Sequence, residues 1–254
     1  MPEHTTFLTY LMSKFPALQA NAEHIGYSFI GHHDPTWRSF EAIVTSLLVI
    51  VLITLLAMRT RTKLTDVDRA VIPDDKLTLR TFMEAFVAYF YGIARDVMGP
   101  KRAKRYFPII GTSAFFIFFG NLLTLIPGFS PPTSSLNITL GCALCVFIAF
   151  NYYGLQANGF GYVKHLAGPK WYLAWLIFPI ELISTCVRPV TLSIRLMVNM
   201  AVDHLLASIA IGMVGLLVPV PLMFLGAIVI VVQTLVFSLL TSIYIGLATE
   251  HEEH

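Results

Sequence analysis

Residues 181–204 read ELISTCVRPVTLSIRLMVNMAVDH. The segment is apolar enough to sit in lipid, yet it carries Glu181, Arg188, Arg195, Asn199, Asp203 and His204. A charged side chain at the centre of a bilayer costs roughly 2.5–3.5 kcal/mol on insertion scales, so such groups face protein or water and mark a functional site. At about 100° per residue, Arg188 falls about 20° from Arg195, Glu181 and Asn199 each about 40° away, and His204 on nearly the opposite side. One helix therefore shows a cationic stripe to one neighbour and an imidazole to another. Arg188 can also be read as half of an internal ion pair, or as a side chain snorkelling from a helix end. That reading suits Arg195 far less, because long apolar runs flank it on both sides.

The rest of the chain fits a membrane setting. It has 254 residues, 56% of them hydrophobic and 13% charged. No Asp, Glu, Lys or Arg occurs between Arg105 and Lys164, or between Asp203 and Glu250, and spans of about 20 apolar residues fit those gaps. The net charge of +2, with no basic domain, excludes a nucleic-acid partner. Cys142, Cys145 and Cys186 all lie in apolar stretches and read as small buried hydrophobes, not as a disulfide framework or a metal site. His32, His33 and Asp34 adjoin one another, but without a second cluster they read as part of an exposed, partly helical tail; no metal or other cofactor is expected. The N-terminus lacks a basic start followed by a long apolar core, so no cleaved signal peptide is read there.

In chain order, residues 1–38 form an outer N-terminal segment and 39–254 a single membrane domain. The uncharged run at about 41–58 is a first span. Residues 59–107 then hold Arg59, Arg61, Lys63, Arg69, Lys76, Arg80, Arg95, Lys101, Arg102, Lys104 and Arg105, which the positive-inside rule puts in the cytoplasm, leaving the N-terminus outside. Within this stretch Leu79, Phe82, Met83, Phe86, Phe90, Ile93 and Val97 recur at helical spacing opposite Arg80, Glu84 and Asp96, so about 77–98 is an amphipathic membrane-surface helix. GPKRAKR follows as a basic anchor after a turn. Two more spans, about 107–127 and 136–155, are joined by the Pro/Gly/Ser turn GFSPPTSS. From 171 to about 213 the chain is too long for one upright span, since the part up to Gly212 would be about 63 Å of helix against a hydrocarbon core of about 30 Å. Either two short spans break near Pro189, or one long helix lies steeply tilted. After VPVP comes a last apolar helix at about 222–248, with a thin polar stripe of Gln233, Thr234, Ser238, Thr241 and Ser242. The absence of an internal repeat weakens a secondary-transporter reading.

PVTLSIRLMVNM, followed by Gln233 in VVQTLVFSLLTSIYI, closely resembles the a subunit of F-type ATP synthases. The resemblance runs from Phe40 through nearly the whole chain and includes the basic amphipathic segment, NLLTLIP, the P-T-x-x-L-N turn and ELIS. It implies an all-α integral membrane protein of about three transmembrane helices, one surface helix and a long, strongly tilted helical hairpin. It implies a proton-translocating stator in a bacterial inner membrane, with two aqueous half-channels against a rotating c-ring, peripheral-stalk b-type subunits and the remaining synthase as partners, and lipid around it. The chain alone would catalyse nothing; its C-terminus would be cytoplasmic.

The same resemblance carries the essential arginine onto Arg195, which would face the ring carboxylates and stop proton leakage. It puts Glu181 and Ser184 along the cytoplasmic half-channel, and Asn199, His204 and Gln233 around the opposite one and the ring interface. Arg188 falls where the family often has a basic residue and would support the interface. Three positions depart from the family pattern. Gly226, Thr124 and Ser135 stand where titratable or acidic groups are common. Asp203, beside His204, is the candidate to supply a missing carboxylate. The rival reading is a stand-alone ion transporter or channel, with Glu181 and Asp203 as its own carriers.

Overall fold

A computed structural model describes residues 37–64, 78–126, 129–159, 171–214 and 219–249. The N-terminal histidines and the charged tail after 249 lie outside the described residues. Six helices follow in order: α1 (Trp37–Leu64), α2 (Leu79–Met98), α3 (Pro100–Leu122), α4 (Leu136–Asn158), α5 (Trp171–Val214) and α6 (Pro219–Ala248). Single 3₁₀ turns, Leu123–Leu125 and Pro132–Ser134, flank the connection from α3 to α4. There is no strand among the described residues. Five helices are long and apolar enough to cross a membrane, through Glu41–Arg61, Pro100–Leu125, Leu136–Ala157, Ile177–Asp203 and Pro221–Ala248.

α3 is the innermost of the five, with 50% of its apolar window buried against 24–28% for the others. Its sequence accounts for this, because Gly111, Ser113, Ala114 and Gly120 are small and let neighbours approach its axis. One face meets α1 and α2 through Phe119, Val49 and Met83. Another meets α4, α5 and α6 through Ile117, Val146, Leu192, Leu196 and Phe237. At its C-terminal end Asn121 is fully buried and accepts a 2.5 Å hydrogen bond from the Thr133 hydroxyl, which holds the α3–α4 connection over the helix end.

α2 differs from its sequence reading in which face is covered. Arg80, expected on the polar side, is buried, and its Nε donates to Glu84 Oε1 at 2.7 Å, one turn along. Leu79 and Phe82 are exposed instead, while Met83, Phe90, Ala94 and Met98 are buried. The apolar arc is wider than its neighbours cover, so part of it packs on protein and part stays exposed. The basic stretch after it is already helical, since Gly99 at φ 79° turns the chain and Pro100 starts α3 directly. The turn is fastened to α6. Arg102 Nε donates to the Met98 carbonyl at 2.8 Å, and its Nη1 reaches the Gly246 carbonyl at 3.4 Å.

α5 is a single 44-residue helix that continues through Pro179 and Pro189. This decides between the two readings of the stretch: the chain does not break near Pro189. Hydroxyls around that proline bond carbonyls of their own helix, Thr185 to Glu181 at 2.8 Å and Ser193 to Val190 at 2.9 Å. Membrane helices tolerate proline where such local groups and neighbouring helices re-satisfy the backbone.

A Cβ at Gly246 would stand 3.1 Å from Met98 Cγ, so the bare residue lets Met98, at the α2–α3 turn, sit close against α6. Gly246→Val is therefore expected to cost about 1–3 kcal/mol through overpacking. The purified protein in detergent should show a lower thermal midpoint, and adding Met98→Ala should restore part of it.

Candidate functional site

α5 buries one side and exposes the other. Thr185, Leu192, Ser193, Leu196 and Met200 face the bundle. Ser184, Thr191, Arg195, Val198 and Val202 are exposed, and at about 100° per residue all lie within about 60° of Arg195. Beside them Ile183, Val187, Val190 and Ile194 extend an apolar surface along the helix. Arg195 thus sits near the middle of a long helix, on an apolar exposed face. It has no hydrogen bond or acidic partner among the described residues.

The other candidates fall into two groups along the α5–α6 contact. On the C-terminal side of Arg195, Asn199 Nδ2 donates to Gln233 Oε1 at 2.9 Å. Gln233 is 4% exposed and its Nε2 is buried with no partner among the described residues. One turn further, Asp203 lines a cavity of about 40 Å³ together with Thr124 and Gly226. His204 lies on α5 next to it, its side chain outside the described residues. On the N-terminal side, Arg188 Nη2 lies 3.8 Å from Glu181 Oε1, and its guanidinium stands 5.2 Å from the centre of the Tyr244 ring. Ser184 is exposed between these two. The structure therefore joins Asn199 with Gln233 and Glu181 with Arg188. Arg195 is bonded to neither pair.

Tyr244 was not among the residues read from sequence, although a signal for it exists. It follows Gln233 by eleven residues, and Arg188 precedes Asn199 by eleven. Eleven residues are close to three helical turns, about 20° out of phase. An antiparallel pair of helices that sets Asn199 against Gln233 must then set Arg188 against Tyr244. The cation–π contact is the second peg of that register.

The site lies on helices whose sequence has clear relatives. The family model described as ATP synthase A chain matches residues 42–246, from within α1 to just short of the end of α6. ATP synthase subunit a of Sorangium cellulosum is 67% identical over the full length of both chains. The chain belongs to the ATP synthase subunit a family. ATP synthase subunit a 1 of Syntrophotalea carbinolica is 38% identical over 96% of each chain. ATP synthase subunit a of Geobacter sulfurreducens is 42% identical over 66% of this chain and 72% of its own. The F-type a-subunit resemblance seen in PVTLSIRLMVNM is thus a family membership covering every site residue named above. It makes the chain a multi-pass membrane protein of proton transport coupled to ATP synthesis.

The Asn199–Gln233 bond should behave as one unit. Asn199→Ala leaves the buried Gln233 amide, and Gln233→Ala the half-buried Asn199 amide, without its partner, a loss of about 1–3 kcal/mol for the buried group and less for the other. The double substitution is expected to cost less than the sum of the two, as thermal midpoints of the purified complex would show.

Proposed function

We propose that this chain is the stator half of a rotary proton path and that Arg195 is its fixed cation, facing the carboxyl groups of a c-ring. The observation that carries the reading is a guanidinium exposed at mid-helix on an apolar face, with no acidic partner among the described residues. Such a charge in lipid is expensive, and a carboxylate brought by another subunit is the chemistry that would compensate it. In this reading α5 and α6 form the steeply tilted hairpin against the ring. Residues 39–254 are one membrane domain of a bacterial inner membrane, the N-terminus lies outside and the C-terminus in the cytoplasm, and b-type stalk subunits and lipid cover other faces. A stand-alone transporter is not favoured, because the family is that of one subunit of a synthase.

A ring carboxyl crosses lipid in its neutral form, since a bare carboxylate there is costly. Reaching Arg195, it meets a positive charge. Two unit charges about 4 Å apart at an effective dielectric of about 20 attract by roughly 4 kcal/mol, or about three pKa units. Proton release on the Glu181 and Ser184 side is thereby favoured during synthesis. The carboxylate is reprotonated from the side of Asn199, Asp203, His204 and Gln233. The guanidinium does not relay the proton itself, because arginine holds its proton and stays a cation. Arg188, held by Glu181 and Tyr244, supports the interface below. The driving force is about 2.3 kcal/mol per charge per 100 mV, with the pH difference added.

Arg195→Ala is expected to abolish ATP-driven proton pumping in inverted vesicles while c-ring and peripheral ATPase subunits still co-purify. Pumping at the parent rate in an assembled complex would falsify the assignment.

A further inference from the structure

An apolar groove of about 770 Å³ lies between α1, α3 and α4, with no residue of α5 or α6 in its lining. Pro108, Thr112 and Phe116 of α3, Gly141 and Cys145 of α4 and Ile50 of α1 form its walls, and no charged side chain does. Its hydroxyls are already satisfied. Ser46, Thr112 and Ser113 each donate to a carbonyl of their own helix, at 2.7, 2.6 and 2.9 Å. Hydroxyls bonded in this way leave a wall that offers mainly hydrocarbon contact; the amide of Asn137, at the start of α4, is the remaining polar lining. A Cβ at Gly141 would meet nothing within 4 Å, so the α4 side stands open.

On α3 the groove continues into a cluster of cations. Lys101, Lys104 and Arg105 are exposed at the start of that helix. At about 100° per residue, Lys101, Arg105, Pro108 and Thr112 lie within about 60° of one another, and Lys104 about 40° from Pro108. Arg102 is turned away, towards the Gly246 carbonyl of α6. Pro108 stands about 4.5 Å along the axis from Arg105, and from there the groove follows α3 for about 12 Å to Phe116. One leaflet of the hydrocarbon core is about 15 Å deep. No Asp or Glu occurs between Asp96 and Glu181, and none of the three cations is ion-paired among the described residues. The Arg105 guanidinium stands 5.7 Å from the centre of the Tyr106 ring, a contact that asks for no acid. Positive side chains in the first turns of a helix oppose its dipole, whereas an anion placed there is favoured by both.

We propose that this face of α3 is a binding site for an anionic phospholipid, its phosphate held among Lys101, Lys104 and Arg105 and one acyl chain laid in the groove between α1, α3 and α4. Basic clusters beside gaps between membrane helices suit anionic headgroups. An apolar helix of another subunit would fill the groove but bring nothing for the cations beside it. A zwitterionic lipid would bring the chain, yet its own cation competes for the phosphate. An anionic lipid answers both features at once. The site is separate from Arg195 and stands whether or not the stator reading does.

The test uses the assembled complex in vesicles that contain phosphatidylglycerol with a photoreactive diazirine in one acyl chain, the labelled peptides being mapped by mass spectrometry. In the parent complex the label should fall on residues 108–116 and 141–146. Unlabelled phosphatidylglycerol should displace it, and phosphatidylcholine or inorganic phosphate should not. Each basic residue near an anionic membrane surface is worth roughly fivefold in binding, so Lys101→Gln, Lys104→Gln and Arg105→Gln together should cut groove labelling about tenfold or more. Label on residues 47–55 of α1, where Leu47, Val51 and Leu55 are exposed, should stay at the parent level. The charge-keeping set Lys101→Arg, Lys104→Arg and Arg105→Lys should label as the parent does. Gly141→Phe, with the cations intact, should also cut groove labelling, because its ring enters open space. Equal displacement by phosphatidylcholine, or undiminished labelling in the glutamine variant, overturns the proposal and leaves ordinary boundary lipid. So does a parent complex whose groove peptides take no lipid label because a neighbouring subunit's helix covers them. The displacement experiment needs no variant, so it decides the matter even where the triple substitution fails to assemble.

Discussion

A guanidinium that cannot lose its charge, on an exposed apolar face near the middle of a membrane helix, is the constraint around which this chain is built. Arginine keeps its proton at any accessible pH, so a neutral form is not open to it. Its own chain offers it no acid among the described residues, although it offers one to Arg188 seven residues earlier. The two arginines share a helix face within about 20° yet differ in fate. Arg188 is half-buried, paired with Glu181 and set over Tyr244. Arg195 is left exposed. A pair closed within one subunit holds helices together, whereas an open charge is available to a partner that moves.

Holding that charge at a fixed depth requires a stiff support. Behind Arg195 stand Leu192 and Leu196, packed with Ile117, Val146 and Phe237 from three other helices. Leu196 and Phe237 are fully buried, so α5 has little freedom to turn and swing the guanidinium away. The Asn199–Gln233 bond one turn on and the Arg188–Tyr244 contact two turns back fix its register along α6. Close packing of this kind transmits strain instead of absorbing it. In the proposed stator reading, where a ring turns past Arg195, the side chain benefits from such backing.

Much of this was legible in the sequence. The charge-free stretches gave the apolar spans, and the spacing of Glu181, Arg188, Arg195 and Asn199 gave one helix with a polar stripe. Continuity through Pro189 was not legible, because it depends on neighbours packed against the helix, at Leu192 and Leu196 among others. Nor was burial of Arg80, which turns on how wide an apolar arc the bundle covers. The space beside Gly226 was also hidden. A missing side chain leaves no pattern in one sequence, and its neighbours Thr124 and Asp203 lie on separate elements.

The polar residues of the two long helices divide by whether their own helix can satisfy them. Thr234, Ser238 and Ser242 form a buried stripe on α6 that a sequence reading could take for a channel lining. Each donates instead to the carbonyl four residues back, on Ile230, Thr234 and Ser238, all at 2.8 Å. Such bonds are made within one turn and leave the hydroxyl little need of water. Asn121 Nδ2, Asp203 Oδ2, Gln233 Nε2 and Thr241 Oγ1 are different, being buried without partners among the described residues. Unmet polar atoms in a native interior are uncommon, and here they belong to three helices, two of them meeting at the α5–α6 contact and the third ending two residues before Thr124. Thr234, Ser238 and Ser242 thus build the hairpin, while the Thr241 hydroxyl and the amide and carboxyl groups keep bonding capacity in reserve. Protons need water, and water goes where that capacity is unmet.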